Sequence, residues 1–276
     1  HVNRQHPHQW DFVDQALPLQ ALFGGTLVDT GVQATWLPSL PVYTLLGVEA
    51  LQGDNARLSS NAADAHPDLF EETAGPRLFT GFVRVSPNLG YSHALQGGMS
   101  VGHSRSHQEI VRGADGRPDE GLDGDTWFLG TDWVWRYDSS RSLGRGDLTV
   151  QGEYLYRRKN LATTREAGAI AVGTPVVSAQ DGFYAQSVYG IAPRWTLAGR
   201  LDAVGLTNRV DTGGVRQQYG RSPRYTATIT FNPTEFSRLR LQYQSGRDWS
   251  QGTRTPVRQV FVQFQMSLGS HGAHRF

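Results

Sequence analysis

From Pro256 to Leu268 the chain alternates. Val260, Val262, Phe264, Met266 and Leu268 fall on one side of an extended strand, and Gln259, Gln263, Gln265 and Ser267 fall on the other. A period of two marks a β-strand whose two faces meet different surroundings. A soluble sandwich strand alternates in the same way, so the pattern gains meaning only if it recurs.

It recurs along most of the chain. Gly31 to Leu37 sets Val32, Ala34 and Trp36 against Gln33 and Thr35, and Val42 to Gln52 sets Thr44, Leu46, Val48 and Ala50 against Glu49. Arg77 to Ser86 places Phe79, Val83 and Val85 opposite Thr80 and Arg84, and Tyr91 to His103 presents Leu95, Met99 and Val101. Thr126 to Tyr137 opposes Trp127, Leu129, Trp133 and Trp135 to Asp132 and Arg136, and Asp147 to Arg158 opposes Leu148, Val150, Tyr154 and Tyr156 to Gln151, Glu153 and Arg157. Gly182 to Ile191 and Trp195 to Asn208 form a hairpin, the second strand setting Leu197, Leu201 and Ala203 against Arg200 and Asp202. Arg224 to Phe231 and Phe236 to Gln244 close the series, with Tyr225, Ala227, Ile229, Leu239, Leu241 and Tyr243 facing away from Arg224, Thr226, Arg238, Arg240, Gln242 and Gln244. This gives about eleven strands of the length that a tilted membrane-spanning strand needs.

Short turns, such as 38–41, 87–90 and 192–194, alternate with long polar stretches at about 53–76, 104–124 and 159–180. That asymmetry belongs to outer-membrane barrels, which have tight turns on the periplasmic side and long loops outside. Aromatic residues gather near strand ends, at Trp36, Tyr43, Trp127, Trp135, Tyr137, Tyr156, Trp195 and Phe231, where interfacial girdles form. A sandwich or propeller would bury the apolar face as a core. The recurrence of Arg, Gln and Glu on the opposite face favours a wet interior and a lipid exterior. The expected fold is therefore an all-β antiparallel transmembrane β-barrel in the bacterial outer membrane. Because single-chain barrels have even strand numbers, about eleven strands imply a missed strand or a larger even-stranded barrel of which this is a portion. The sequence predicts one domain over 1–276, with 1–25 an extracellular loop or irregular segment, 26–268 the barrel strands and 269–276 a tail.

Composition adds little against this. The 276 residues include 32 glycines and no cysteine, which excludes disulfides and thiolate metal sites. A net charge of +1 gives no support for a nucleic-acid partner. A mean hydropathy of −0.44 is compatible with a membrane barrel, because only alternate residues meet lipid.

The segment HPHQWDFVDQALPLQALFGG, followed by DTGVQATWLP, resembles the zinc-regulated TonB-dependent outer membrane receptors of bacteria, as does the ending LGSHGAHRF. The resemblance implies further strands upstream, zinc-linked expression and uptake across the outer membrane, with TonB as a partner. A TonB-dependent receptor also needs a folded plug and a barrel of about 22 strands, and no stretch reads as a plug. A smaller passive or substrate-selective channel fits equally well.

The densest group of candidate metal ligands is His6, His8 and Asp11, with His1 and Asp14 nearby, a set suited to Zn²⁺; the alternative is packing within an ordered loop over the pore. The tail pair His271 and His274 forms a second candidate. No cofactor is required. Glu49, Arg84, Asp132, Glu153, Arg200, Asp202, Arg224, Arg238, Arg240, Gln242 and Gln263 are expected to line the pore. Their charges either set a transverse field that selects solutes or pair between strands and fill the interior. No nucleophile motif, phosphate loop or HExxH occurs, so the chain reads as a non-enzymatic channel or uptake protein for a small solute or metal ion. A barrel hydrolase would instead require a Ser, a His and an acid converging at the rim.

Overall fold

The computed structural model describes residues 9–111, 120–165, 170–250 and 252–267. Twelve strands form one antiparallel sheet. They are β1 (Gly31–Trp36), β2 (Tyr43–Leu51), β3 (Leu78–Ser86), β4 (His93–Val111), β5 (Glu120–Tyr137), β6 (Leu148–Thr163), β7 (Pro175–Ala192), β8 (Trp195–Thr212), β9 (Val215–Gln218), β10 (Ser222–Thr234), β11 (Ser237–Ser250) and β12 (Thr253–Met266). Hydrogen-bonded neighbours follow chain order, except that the four-residue β9 lies off the path and pairs with β8 alone. Among the described residues one α-helix, α1 (Leu17–Phe23), precedes the strands. The sheet has the architecture of an antiparallel β-barrel wall, and each strand read from the two-residue period is present on its path.

The wall is inverted relative to a soluble protein. On β11, Leu241 is 50% exposed, whereas its neighbours Arg240 and Gln242 are 4% and 0% exposed. On β12, Val262 reaches 81%. Removing a side chain of this size from water stabilises by roughly 1.5–3 kcal/mol. The fold forgoes this gain at every outward position in water and recovers it only in hydrocarbon. The buried face carries Gln151, Glu153, Arg157, Gln186, Arg200, Asp202, Thr226, Thr228 and Gln244, groups that must find hydrogen-bond partners once shielded from bulk water.

Strands reach further on the loop side than the period suggests. β4 continues to Val111 and β5 starts at Glu120, in a stretch expected as polar loop, and β7 starts at Pro175. In these extensions apolar residues such as Ile110 and Val111 or Val176 and Val177 stand side by side among polar ones, so the alternation fades while the backbone ladder goes on.

Two inward phenylalanines shape the inner surface. Phe82 pairs across strands with Gly47, and Phe128 with Gly102. Each ring lies flat on its glycine: a Cβ at Gly102 would stand 2.0 Å from Phe128 Cε1, and one at Gly47 would stand 2.2 Å from Phe82 Cζ. Held in this way, Phe128 meets Phe23 of α1 edge to face at 5.4 Å. Glycine at these two positions thus leaves room for the rings, and Phe128 forms part of the surface on which the helix rests.

Candidate functional site

Residues 9–23 lie against the polar face of the sheet instead of forming an extracellular loop, and 17–23 is helical rather than irregular. Asp14 is the hub. Its Oδ1 accepts from Arg200 Nη2 at 3.1 Å and from Gln242 Nε2 at 2.9 Å, and its Oδ2 accepts from Gln244 Nε2 at 2.6 Å. Arg200 Nη1 also donates to the Asp14 carbonyl at 2.9 Å, its Nε donates to Asp202 at 2.9 Å, and its guanidinium lies 4.6 Å from the Phe12 ring centroid. Gln242 returns its amide oxygen to the Val13 N–H at 2.8 Å, while Arg240 Nη2 and Arg238 Nη1 both donate to the Trp10 carbonyl, at 2.8 and 3.0 Å. Charge-assisted bonds of this kind exceed neutral ones in strength.

The helix continues the docking. LPLQALF has no side-chain cap of its own, so Asp202 Oδ1 of the wall accepts the Leu17 N–H at 2.9 Å, meeting one of the donors a helix start leaves open. Gly24, at φ 76°, ends the helix, and its N–H bonds back to Gln20. Arg157 donates to the Leu22 carbonyl at the C-terminal turn and to the Arg57 carbonyl of the long loop, a cation placed where the helix dipole favours it. Around these polar ties Leu19, Leu22 and Phe23 pack with Leu58, Phe128, Leu155 and Tyr184 into an apolar core inside the wall.

The residues expected to line a pore all lie on the buried or half-buried face, but several do other work. Arg200, Asp202, Arg238, Arg240 and Gln242 grip the internal segment. Gln263 accepts from Arg240 at 3.2 Å, and Arg224 pairs with Asp248 at 3.0 Å. Glu49 joins Gln33 of β1 and Thr80 of β3 through hydrogen bonds. A cavity of about 170 Å³ remains beside α1, bounded by Phe23, Glu49, Thr80, Arg84, Asp132 and Glu153. Arg200, Arg238 and Arg240 therefore do not stand across open water from the acids, since each bonds to the internal segment. Asp11 and Asp14 of the segment meet the basic wall first.

His6 and His8 lie outside the described residues, as do His271 and His274. Asp11 accepts from Gln186 Nε2 at 3.2 Å. Burial pushes its carboxyl above the ordinary range, against the pull of Arg240 and Arg238. The described hydrogen-bond partner of Asp11 is thus a side chain of the wall. Among the described residues no group of three His, Asp or Glu is arranged to hold an ion.

Ser60, His107 and Glu109 do converge. Ser60 Oγ lies 3.2 Å from His107 Nδ1, and His107 Nε2 lies 2.9 Å from Glu109 Oε1, which Lys159 also engages. Because the Ser60 N–H donates to Nδ1, the proton of the neutral ring sits on Nε2. The serine is nevertheless committed: its hydroxyl donates to the Gln108 carbonyl and accepts from the Gln108 N–H. His107 is fully buried. The arrangement fastens the 53–76 loop to β4, with Ser104 and Ser59 adding a bond at 2.7 Å. No sequence motif announces it, since its members are 47 residues apart and join only when the loop folds back.

No family model matches the chain. An uncharacterized protein of Aquifex aeolicus (strain VF5) is 32% identical over 282 residues, covering all of this chain and 57% of that protein. The chain thus spans little more than half the length of that relative. Among solved structures, a loop-deletion mutant of OmpT, an outer membrane protein of Vibrio cholerae, superposes with a TM-score of 0.53 at 11% identity, covering 94% of this chain and 69% of that one. The shared feature is the outer-membrane barrel fold. The resemblance to zinc-regulated TonB-dependent receptors has no counterpart in these comparisons.

Proposed function

We propose that the chain forms most of the wall of an outer-membrane channel for small hydrophilic solutes, with residues 9–23 as an internal constriction. The observation that carries this reading is the docked segment: a polar inner face would be wasted in a solid barrel, and here it holds a peptide by side-chain bonds that water could replace. Outward apolar side chains supply the lipid contact, and the aromatic pair Trp195–Phe231, stacked at 4.6 Å, suits the headgroup boundary. The test is the full-length protein in planar lipid bilayers. Stepwise ohmic conductance is expected; an electrically silent protein that is correctly inserted would overturn the proposal.

A hydrolase is the second reading, favoured by the Ser60–His107–Glu109 chain alone. A serine-reactive fluorophosphonate that labels wild type but not Ser60→Ala would put it first. Zinc uptake and coupling to TonB rest on the N-terminal sequence resemblance, and they add to the channel reading without being required by it.

A further inference from the structure

The two ends of the sheet point the same way. β1 runs from the loop side at Gly31 to the turn side at Trp36, next to the short connection to β2. β12 leaves the loop side at Thr253, opposite Ser250, and reaches the turn side at Met266, opposite Ser237. β1 and β12 are therefore parallel to each other. Closing the wall by joining them would create one parallel seam in an otherwise antiparallel barrel. Two copies inserted in the same orientation and joined edge to edge would make the same parallel seam twice.

Among the described residues neither edge has a second partner strand: β1 pairs with β2 alone and β12 with β11 alone. β1 is exposed along its whole length, with Val32 at 73%, and β12 is exposed at most positions. Unpaired N–H and C=O groups facing hydrocarbon cost several kcal/mol each, and open edges do not occur there. The inner surface is unfinished in the same place: Gln242 and Gln244 are sealed beneath the docked segment, whereas Gln259 on β12 is exposed.

We infer that an odd number of further strands, supplied by the same polypeptide, stands between β12 and β1. Only an odd number restores antiparallel pairing at both edges. Added to the eleven strands on the path, it also gives the even total of single-chain bacterial barrels. The Aquifex relative has room for them, since the match leaves 43% of that protein unaligned (100% less the 57% covered). The inference rests on the barrel reading and not on conduction, so a silent but closed barrel would leave it standing.

The 276-residue sequence contains no cysteine, so disulfide scanning meets no native thiol in it. In the full-length protein, cysteines at Val32 or Ala34 are combined with cysteines at Val260, Val262 or Phe264, and Ala34→Cys with Val48→Cys, a registered β1–β2 pair, serves as control. The expected result is a disulfide in the control and none in the six test pairs. A disulfide within one chain would show the parallel seam, and one between chains would show a second copy at the edge; either overturns the inference. A cryo-electron microscopy map of the same protein counts the strands directly. An even total with β1 and β12 apart supports the inference, and an odd total or a β1–β12 seam overturns it.

Discussion

Removing the carboxylate of Asp14 should release the internal segment while leaving the wall intact. Asp14→Ala withdraws the acceptor from Arg200 Nη2, Gln242 Nε2 and Gln244 Nε2, on residues that are 3%, 0% and 0% exposed. A hydrogen bond to a charged group contributes about 1.5–3 kcal/mol, so three would sum to well above 4 kcal/mol if independent. They are not independent, because contacts within one network are non-additive. Arg200 also keeps Asp202 and the Asp14 carbonyl. A loss of about 3 kcal/mol is the reasonable figure, and it corresponds to a rise of roughly 150-fold in the undocked population. Hydrogen exchange with mass spectrometry reads this directly. The Val13 and Leu17 amides donate to wall side chains, Gln242 and Asp202, so their exchange should accelerate by about that factor while peptides from β10 and β11 stay protected. In bilayers the same variant should show larger or more frequent openings. Unchanged protection of Val13 and Leu17 would refute the docking account, and faster exchange throughout the strands would show that Asp14 supports the wall itself.

The remaining expectations are brief. Gly102→Val should cost about 1–3 kcal/mol through overpacking against Phe128 and loosen α1, read as a lower midpoint of thermal unfolding in detergent. Gly199→Ala, where a Cβ meets nothing within 4 Å, should be neutral, and equal effects would dismiss the role assigned to the glycine–phenylalanine pair. Asp11 has its docked carboxyl raised above the free value, so its contribution is present at acid pH and is lost as pH rises through the raised value; exchange at Val13 should speed up with pH beyond the intrinsic chemical rate, and Asp11→Asn should abolish that excess. If the N-terminal histidines hold zinc, calorimetry on the full-length protein should show a binding event that His6→Ala with His8→Ala removes. Identical titrations would delete the metal from this reading.

The wall was legible because its chemistry is local: a strand displays its two faces in successive letters, and Leu239, Leu241 and Tyr243 alternate with Arg238, Arg240 and Gln242 for any reader. What fills the wall was not legible. LPLQALF is too short, and too poor in capping and charge signals, to declare a helix. It becomes one because Asp202, 185 residues away, accepts its first N–H. Asp11 and Asp14 looked like ligands beside histidines, since sequence shows an acid's neighbours and not its partners, which lie on β7, β8 and β11. The extensions of β4 and β5 escaped for a different reason: at Ser104, Ser106, His107 and Gln108 the buried positions are themselves polar, so no hydrophobic alternation marks them.

The spacing between Asp14 and its partners imposes an order on assembly. Arg200 comes 186 residues later, Gln242 228 later and Gln244 230 later, so the hub cannot exist until β8 and β11 are in place. The segment is thus fastened at Asp14 only after β8 and β11 have been made, although it precedes β1 to β12 in the chain. A chain cut short after β7 would keep the Arg157 tie to the Leu22 carbonyl and the Gln186 tie to Asp11. It would lose every bond described above from Trp10, Val13, Asp14 and Leu17 to the wall, and so would carry the helix with its leading segment loosened.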